Sequence, residues 1–181
     1  MSARISSRRV YSGKVISVDV DSVRFPNDLI GELEMVRHPG ASAVVPFLDP
    51  LDSPDPRILL IRQYRYAANG YVYEIPAGRL DPGETPEDCA ARELREETGY
   101  SVSDLIRLTT FYTTPGFTDE QIHLFAASGL TEGNSRVEAD EVLDLAPVTL
   151  SRAMAMIASG ELVDGKSMIG VLFAERFIRR G

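Results

Sequence analysis

Between Thr85 and Gly99 the chain carries a helix whose two ends are set by its own residues. Thr85 suits the N-cap, Pro86 the first helical position, and Asp88 can reach back to the cap. Gly99 is a natural residue for the left-handed turn that ends a helix. On this helix Glu93, Glu96 and Glu97 fall at i, i+3 and i+4, so three carboxylates share one face. Left to themselves they repel, at about a few tenths of a kcal/mol per pair. A bound cation turns that repulsion into attraction, and clustered hard oxygen ligands suit Mg²⁺ or Mn²⁺. Arg92 lies four residues before Glu96 and is placed to pair with it and orient it. Ahead of the helix, Pro76-Ala77-Gly78 and Pro82-Gly83 bend the chain, which brings backbone carbonyls such as that of Ala77 toward the same ions. Glu84, just before the cap, adds an acid or supports the loop. Charge patterning alone reads ELREE as a solvated helix face, so the cluster needs its surroundings to mean more.

The surroundings are mixed in type. Val18 and Val20 alternate with Asp19 and Asp21, the period of a half-buried strand, within a stretch from Arg8 to His38 that has strand character. Pro26-Asn27-Asp28 reads as a turn and Glu32 to Arg37 as the strand after it. Ala41 to Leu48 is a continuous apolar run, a buried strand, followed by an Asp- and Pro-rich surface loop from Asp49 to Pro56. Further strands are expected at Arg57–Tyr64, Gly70–Ile75, Leu105–Tyr112, Gln121–Ser128 and Val142–Val148. Thr149 caps a short helix that stops at Gly160, and a last helix runs from about Lys166 to Arg179 with Ile169, Leu172, Phe173 and Phe177 on one face. Without a regular βα alternation, this order predicts an α/β chain, an α/β/α sandwich around a mixed sheet with an N-terminal antiparallel β segment. The division expected is a β segment over 1–38 and a main domain over 39–181.

Composition narrows the function classes. The 181 residues carry a formal net charge of −8, which argues against a general binder of nucleic acid or anionic membrane. A phosphorylated substrate must therefore be attracted locally, by arginines or by bound metal. Cys89 is the sole cysteine, so no intramolecular disulfide forms; it reads as a small apolar helix residue. The basic start, MSARISSRRVYSG, lacks a following apolar stretch and is not a secretory signal, and no apolar run is long enough to span a bilayer. A soluble, cytoplasmic protein is expected. His38 and His123 have no metal-ligand spacing and read as structural or incidental.

The stretch Gly78 to Tyr100 fits G-x5-E-x7-R-E-U-x-E-E-x-G-U, with U a bulky apolar residue, at nine fixed positions: Gly78, Glu84, Arg92, Glu93, Leu94, Glu96, Glu97, Gly99 and Tyr100. This resembles the Nudix box of the Nudix hydrolases. RQYRYAANGYVYEIPAGRLDPGE and FYTTPGFTDE are similar to the ADP-ribose pyrophosphatase branch, and Pro115 stands sixteen residues beyond the last glycine of the box, where that branch carries a proline.

The resemblance implies hydrolysis of a nucleoside diphosphate linked to another moiety, ADP-ribose by preference, giving AMP and ribose 5-phosphate. It makes Glu93 and Glu97 the main ligands of Mg²⁺ or Mn²⁺, with Glu96 and the Ala77 carbonyl assisting and Arg92 supporting the acids. It places the catalytic base on the loop from Thr131 to Glu141, with Glu138 first and Glu141 second. It makes Arg65 and Glu74 substrate residues, with Arg65 on phosphate, Arg37 facing phosphate or adenine, Glu120 near the terminal ribose, and Phe117 walling the site or joining the core. It also implies a homodimer through the N-terminal strands, one chain helping to bind the other's substrate. Two competing readings remain at this stage: a hydrolase of another nucleotide sugar such as GDP-mannose, and a nucleotide-sugar-binding module without turnover. The full set of acids argues against the second.

Overall fold

The apolar run after Gly40 forms a strand, Ala41–Pro46, with every residue buried. The computed structural model describes residues 3–133 and 143–178. In chain order the strands are β1 (Ala3–Ser12), β2 (Ser17–Arg24), β3 (Ile30–Arg37), β4 (Ala41–Pro46), β5 (Arg57–Arg65), β6 (Gly70–Glu74), β7 (Ala77–Arg79), β8 (Tyr100–Ser101), β9 (Asp104–Tyr112), β10 (Gln121–Ser128), β11 (Thr131–Glu132) and β12 (Leu143–Thr149). The helices are α1 (Pro86–Thr98), α2 (Leu150–Ser159) and α3 (Gly165–Phe173), the last running into a π turn at Ala174–Ile178. They divide into two units, Met1–Gly40 with Phe111–Ile122, and Ala41–Thr110 with His123–Gly181.

The larger unit is built on a four-stranded sheet of order β7-β4-β10-β9. Successive side chains on a strand point to opposite faces. Val44, Phe125 and Ala127 therefore take one face, where they bury Ala90 and Leu94 of α1. Val45 and Leu124 take the other, against α3. Helix, sheet and helix stack in layers, and the α/β/α expectation holds. Burial of Leu94 anchors α1; truncating such a side chain costs about 2–5 kcal/mol. A second sheet, β12-β5-β6, is antiparallel throughout. Its register sets Ile61 opposite Glu74 and Arg65 opposite Gly70, so Arg65 and Glu74 share a face.

The face of α3 differs from the one expected. Leu172 is 46% and Phe177 60% exposed, whereas Ser167, Gly170, Val171 and Ala174 are buried. Apolar periodicity picks out large side chains, but here the helix packs by its small ones. A Cβ at Gly170 would lie 2.9 Å from Val45 Cγ2 and 3.1 Å from Ile75 Cδ1, so the helix backbone approaches closely only because none is there. The regular α-helix gives way to the π turn after Phe173, and the expected end at Arg179 lies outside the described residues.

In the smaller unit β1, β2 and β3 form an antiparallel sheet, and Val36 bridges Thr118 of the 111–122 segment. β1 starts at Ala3, ahead of the stretch that the sequence marked, and is exposed along its length. In β2 the alternation is as expected but the faces are reversed. Asp19 and Asp21 are each 5% exposed, and Val18 and Val20 are only partly buried. The acids can turn inward because arginines meet them there.

Candidate active site

The α1 helix forms as its residues dictate. Thr85 Oγ1 accepts from the Asp88 N–H at 3.1 Å and donates to Asp88 Oδ2 at 2.7 Å; Gly99, with φ 82°, closes the other end. Its exposed turns bring Arg92 among the acids. Arg92 Nη1 donates to Glu93 at 2.7 Å and to Glu96 at 3.1 Å, while Nε and Nη2 clasp Glu84 at 2.7 and 2.9 Å. A further bond from Nη2 reaches the Arg79 carbonyl at 3.0 Å. Glu84 also accepts from the Asp81 N–H at 3.0 Å, so it supports the loop. Arg92 drives the Glu84 carboxyl down to about 2, and Glu84 in return raises the Arg92 guanidinium further above its ordinary value.

The two acids flanking this clasp are set against the β7 loop. Glu97 is 3% exposed and accepts the Ala77 N–H at 3.1 Å. Glu93 lies directly over Gly78, where any Cβ would overlap its carboxylate. Cys89 is fully buried below them, its thiol donating weakly to the Gly78 and Arg79 carbonyls at 3.5 and 3.4 Å. Burial pushes that thiol up to about 11, so it stays protonated and unreactive at neutral pH.

Whether a metal suits this face follows from its donors. All are hard oxygens: Glu93, Glu96 and Glu97 lie along one helix face that Arg92 braces, a donor set that suits a divalent ion. Among the described residues no three acidic, His or Cys side chains converge into a finished cage. Mg²⁺ does not require one, since it keeps waters and substrate phosphates as ligands. The residues therefore fit such an ion.

Beside this face, Glu74 is 3% exposed and accepts from Arg65 Nε at 2.7 Å and Nη2 at 2.9 Å. Lys166, which the sequence reading passed over, donates to the same carboxylate. Burial pushes Glu74 up, but Arg65 and Lys166 outweigh it and hold the carboxyl below its usual range. Only the short gap between Arg65 and Glu74 was visible in sequence; Lys166 lies 92 residues from Glu74.

Arg37, Phe117 and Glu120 belong to the smaller unit. Arg37 is engaged on every nitrogen: Nε to Asp19 at 3.1 Å, Nη1 to Asp119 at 3.1 Å, and Nη2 to Asp21. Burial lowers its basicity, and the three aspartates more than restore it. Asp19 is shared with Arg9, which together with Arg37 holds its carboxyl below the usual range against burial. Glu120 accepts from Thr113 Oγ1 at 2.8 Å and lies 3.2 Å from His38 Nδ1, which gives His38 a structural place. Phe117 is 54% exposed, so it is not a core residue. His123 lies 3.0 Å from Thr110 Oγ1, and burial together with Arg107 lowers its basicity. Glu138 and Glu141 lie outside the described residues.

Residues 37–167 match the model of the NUDIX domain. The chain belongs to the Nudix family. Nudix hydrolases as a class depend on a divalent metal, in keeping with the α1 acids. Over 173 residues, covering 94% of this chain and 91% of the relative, it is 38% identical to an ADP-ribose pyrophosphatase of Bacillus subtilis. With the same coverage it is 39% identical to a methanol dehydrogenase activator of Bacillus methanolicus. It is 36% identical to an ADP-ribose pyrophosphatase of Mycobacterium tuberculosis, over 93% of this chain and 80% of the other. In fold it is similar to a crystal structure of an ADP compounds hydrolase, with a TM-score of 0.83, 20% identity, and 98% and 94% of the two chains covered.

Proposed function

We propose that this Nudix protein hydrolyses the pyrophosphate linkage of ADP-ribose, giving AMP and ribose 5-phosphate, with Mg²⁺ or Mn²⁺. The observation that carries the reading is the α1 face itself, in which Glu93 and Glu97 are fixed against the Gly78 and Ala77 backbone while Arg92 braces Glu93, Glu96 and Glu84. Two ADP-ribose pyrophosphatases among the relatives favour ADP-ribose over other nucleotide sugars. Glu93 and Glu97, assisted by Glu96 and the Ala77 carbonyl, hold the ion. When bound, such an ion neutralises diphosphate charge and lowers the pKa of a ligated water. Arg65, kept in place by Glu74, receives a phosphate oxygen. Glu138, or failing it Glu141, takes the proton of the attacking water. Positioning and charge compensation then supply most of the acceleration, as in phosphoryl transfer generally.

The segment 1–38 serves as the dimerisation and substrate-contributing part, and 39–181 as the hydrolase domain. Exposed Ile5, Val10 and Tyr11 on β1 and Ile30 and Leu33 on β3 support a homodimer through these strands. Arg37, Phe117 and Glu120 then assist the substrate, for which Arg37 must exchange one of its aspartates for the ligand. We assign the protein to the cytoplasm; among the described residues no helix is long and apolar enough to cross a membrane. The acidic charge of −8 supports a small-molecule substrate rather than nucleic acid or membrane lipid.

A panel of ADP-ribose, GDP-mannose, NADH and diadenosine polyphosphates, each with Mg²⁺ or Mn²⁺, tests the proposal. ADP-ribose is expected to give the highest kcat/KM. Faster turnover of GDP-mannose sinks the substrate assignment, and binding without turnover leaves the non-catalytic module. A second reading, activation of a dehydrogenase, has the Bacillus methanolicus relative behind it. It separates from the first when dehydrogenase turnover is followed with this chain present and ADP-ribose absent.

A further inference from the structure

Glu74 is nearly buried, so its charge must be met inside the protein. Arg65 alone would meet it, through the two bonds from Nε and Nη2. Two parallel bonds of this kind fix the plane of the guanidinium only as well as the carboxylate itself is fixed. Here a second side chain holds that carboxylate. Lys166, whose side chain is 13% exposed, donates to Glu74 Oε2, the oxygen that Arg65 Nη2 also uses. Arg65 keeps a side chain 42% exposed, and among the described residues its Nη1 makes no hydrogen bond.

Lys166 is itself held. Its Nζ donates to Asp164 Oδ2 at 3.1 Å, and Asp164 is the N-cap of α3, accepting from the Ser167 N–H at 3.0 Å and Ser167 Oγ at 2.5 Å. Ser167 Oγ in turn accepts the Ile75 N–H at 2.8 Å. One helix corner thus grips both the Glu74 carboxylate and the backbone that follows it. Two residues further on, the Ala77 N–H is held by Glu97. Nothing in the local sequence near the box announces this corner.

We propose that Lys166 is a positioning residue for the diphosphate: by gripping the Glu74 oxygen that Arg65 Nη2 also uses, it fixes the carboxylate that aligns Arg65 and so presents the remaining guanidinium N–H groups to an anionic ligand. This rests on the reading above in which Arg65 meets the diphosphate.

A double-mutant cycle in the full chain tests it, with Lys166→Met, Arg65→Met and the pair, plus Lys166→Arg as the conservative variant and Lys166→Gln as a second truncation. Thermal midpoints are taken for all. ADP-ribose binding is measured by calorimetry in EDTA, where no turnover occurs, and KM and kcat are measured with Mg²⁺. Lys166→Met is expected to raise both Kd and KM about tenfold while leaving kcat within about twofold, and Lys166→Arg to restore most of the loss. In the Arg65→Met background the same change is expected to alter Kd less than about twofold, since the lysine acts through the arginine. Unchanged Kd in both Lys166→Met and Lys166→Gln, or a full additive loss on top of Arg65→Met, overturns the proposal. If the wild-type chain does not bind ADP-ribose, the substrate reading fails by itself. The same cycle with inorganic pyrophosphate then decides the role of Lys166, non-additive loss supporting it and additive loss refuting it.

Discussion

Two arginines in this molecule are each surrounded by three carboxylates, and they are built in opposite ways. Arg92 collects Glu84, Glu93 and Glu96 from its own helix and the loop before it, at separations of eight, one and four residues. Arg37 collects Asp19 and Asp21 from the neighbouring strand β2 and Asp119 from a distant segment, at separations of 18, 16 and 82 residues. Around Arg92 the acids outnumber the cation once Glu97 is included, and Glu93 stays pressed against the glycine backbone. Around Arg37 a second arginine, Arg9, joins the aspartates, and each guanidinium nitrogen of Arg37 is used. The first arrangement gathers carboxylates along one helix face, where an ion can be taken up. The second closes charge upon itself, so that Arg37 holds strands together and meets a ligand only by giving up an aspartate.

Changing one residue in each cluster separates these roles. Glu97→Gln should lower kcat/KM about a thousandfold while the thermal midpoint barely moves, because Gln can still accept the Ala77 N–H but carries no charge for a metal. Near-normal turnover would remove Glu97 from the metal site. Arg37→Met should act in the other sense. It takes one partner from Asp19, which keeps Arg9, and one from Asp21, both 5% exposed, and breaking into such a cluster costs about 3 kcal/mol. Urea unfolding measures that loss. A stable Arg37→Met protein with a greatly raised KM would instead show that Arg37 serves the ligand alone and erase the contrast.

The same contrast explains what was legible in the sequence. Helical spacing is local, so Glu93, Glu96 and Glu97 declared a shared face, and Thr85 and Gly99 declared the helix ends. The layered fold was legible for a related reason: buried strands such as Ala41–Pro46 announce themselves as apolar runs. What stayed hidden depends on tertiary register. The inward turn of Asp19 and Asp21 reverses the usual preference of valine for the core, and it requires arginines brought by β1 and β3. The inward face of α3 was hidden because its close packing uses Gly170 and Ala174 rather than Leu172 and Phe177. Lys166 was hidden because its partner Glu74 lies 92 residues away.

The glycine of the box offers a finer test of how tightly the first cluster is held. Gly78→Ala puts a Cβ into the Glu93 carboxylate, so either the side chain leaves or the β7 backbone shifts. A loss of about 2 kcal/mol in stability or in ΔΔG‡ is expected, read from urea unfolding and kcat/KM side by side. Gly70→Ala is the control, since a Cβ there meets nothing within 4 Å. Equal effects from the two would mean that Glu93 is free to move, and the preorganisation ascribed to this face would fall.

The smallest expected effect is also the one whose sign is fixed most firmly. The folded-state value of Glu84 lies at about 2, below its ordinary 4.5, because Arg92 binds the charged form. A carboxyl depressed on folding contributes stability above its unfolded value and loses it as pH falls through the folded one. Glu84→Gln removes that contribution at every pH. The wild type should therefore exceed Glu84→Gln by about 1 kcal/mol at neutral pH, and the gap should close as pH falls from about 4.5 to about 2. The Arg37 cluster, intact in both proteins, cancels from the difference. A gap that persists at pH 2 would show that Glu84 acts through shape alone, and that Arg92 is braced by Glu93 and Glu96 without it.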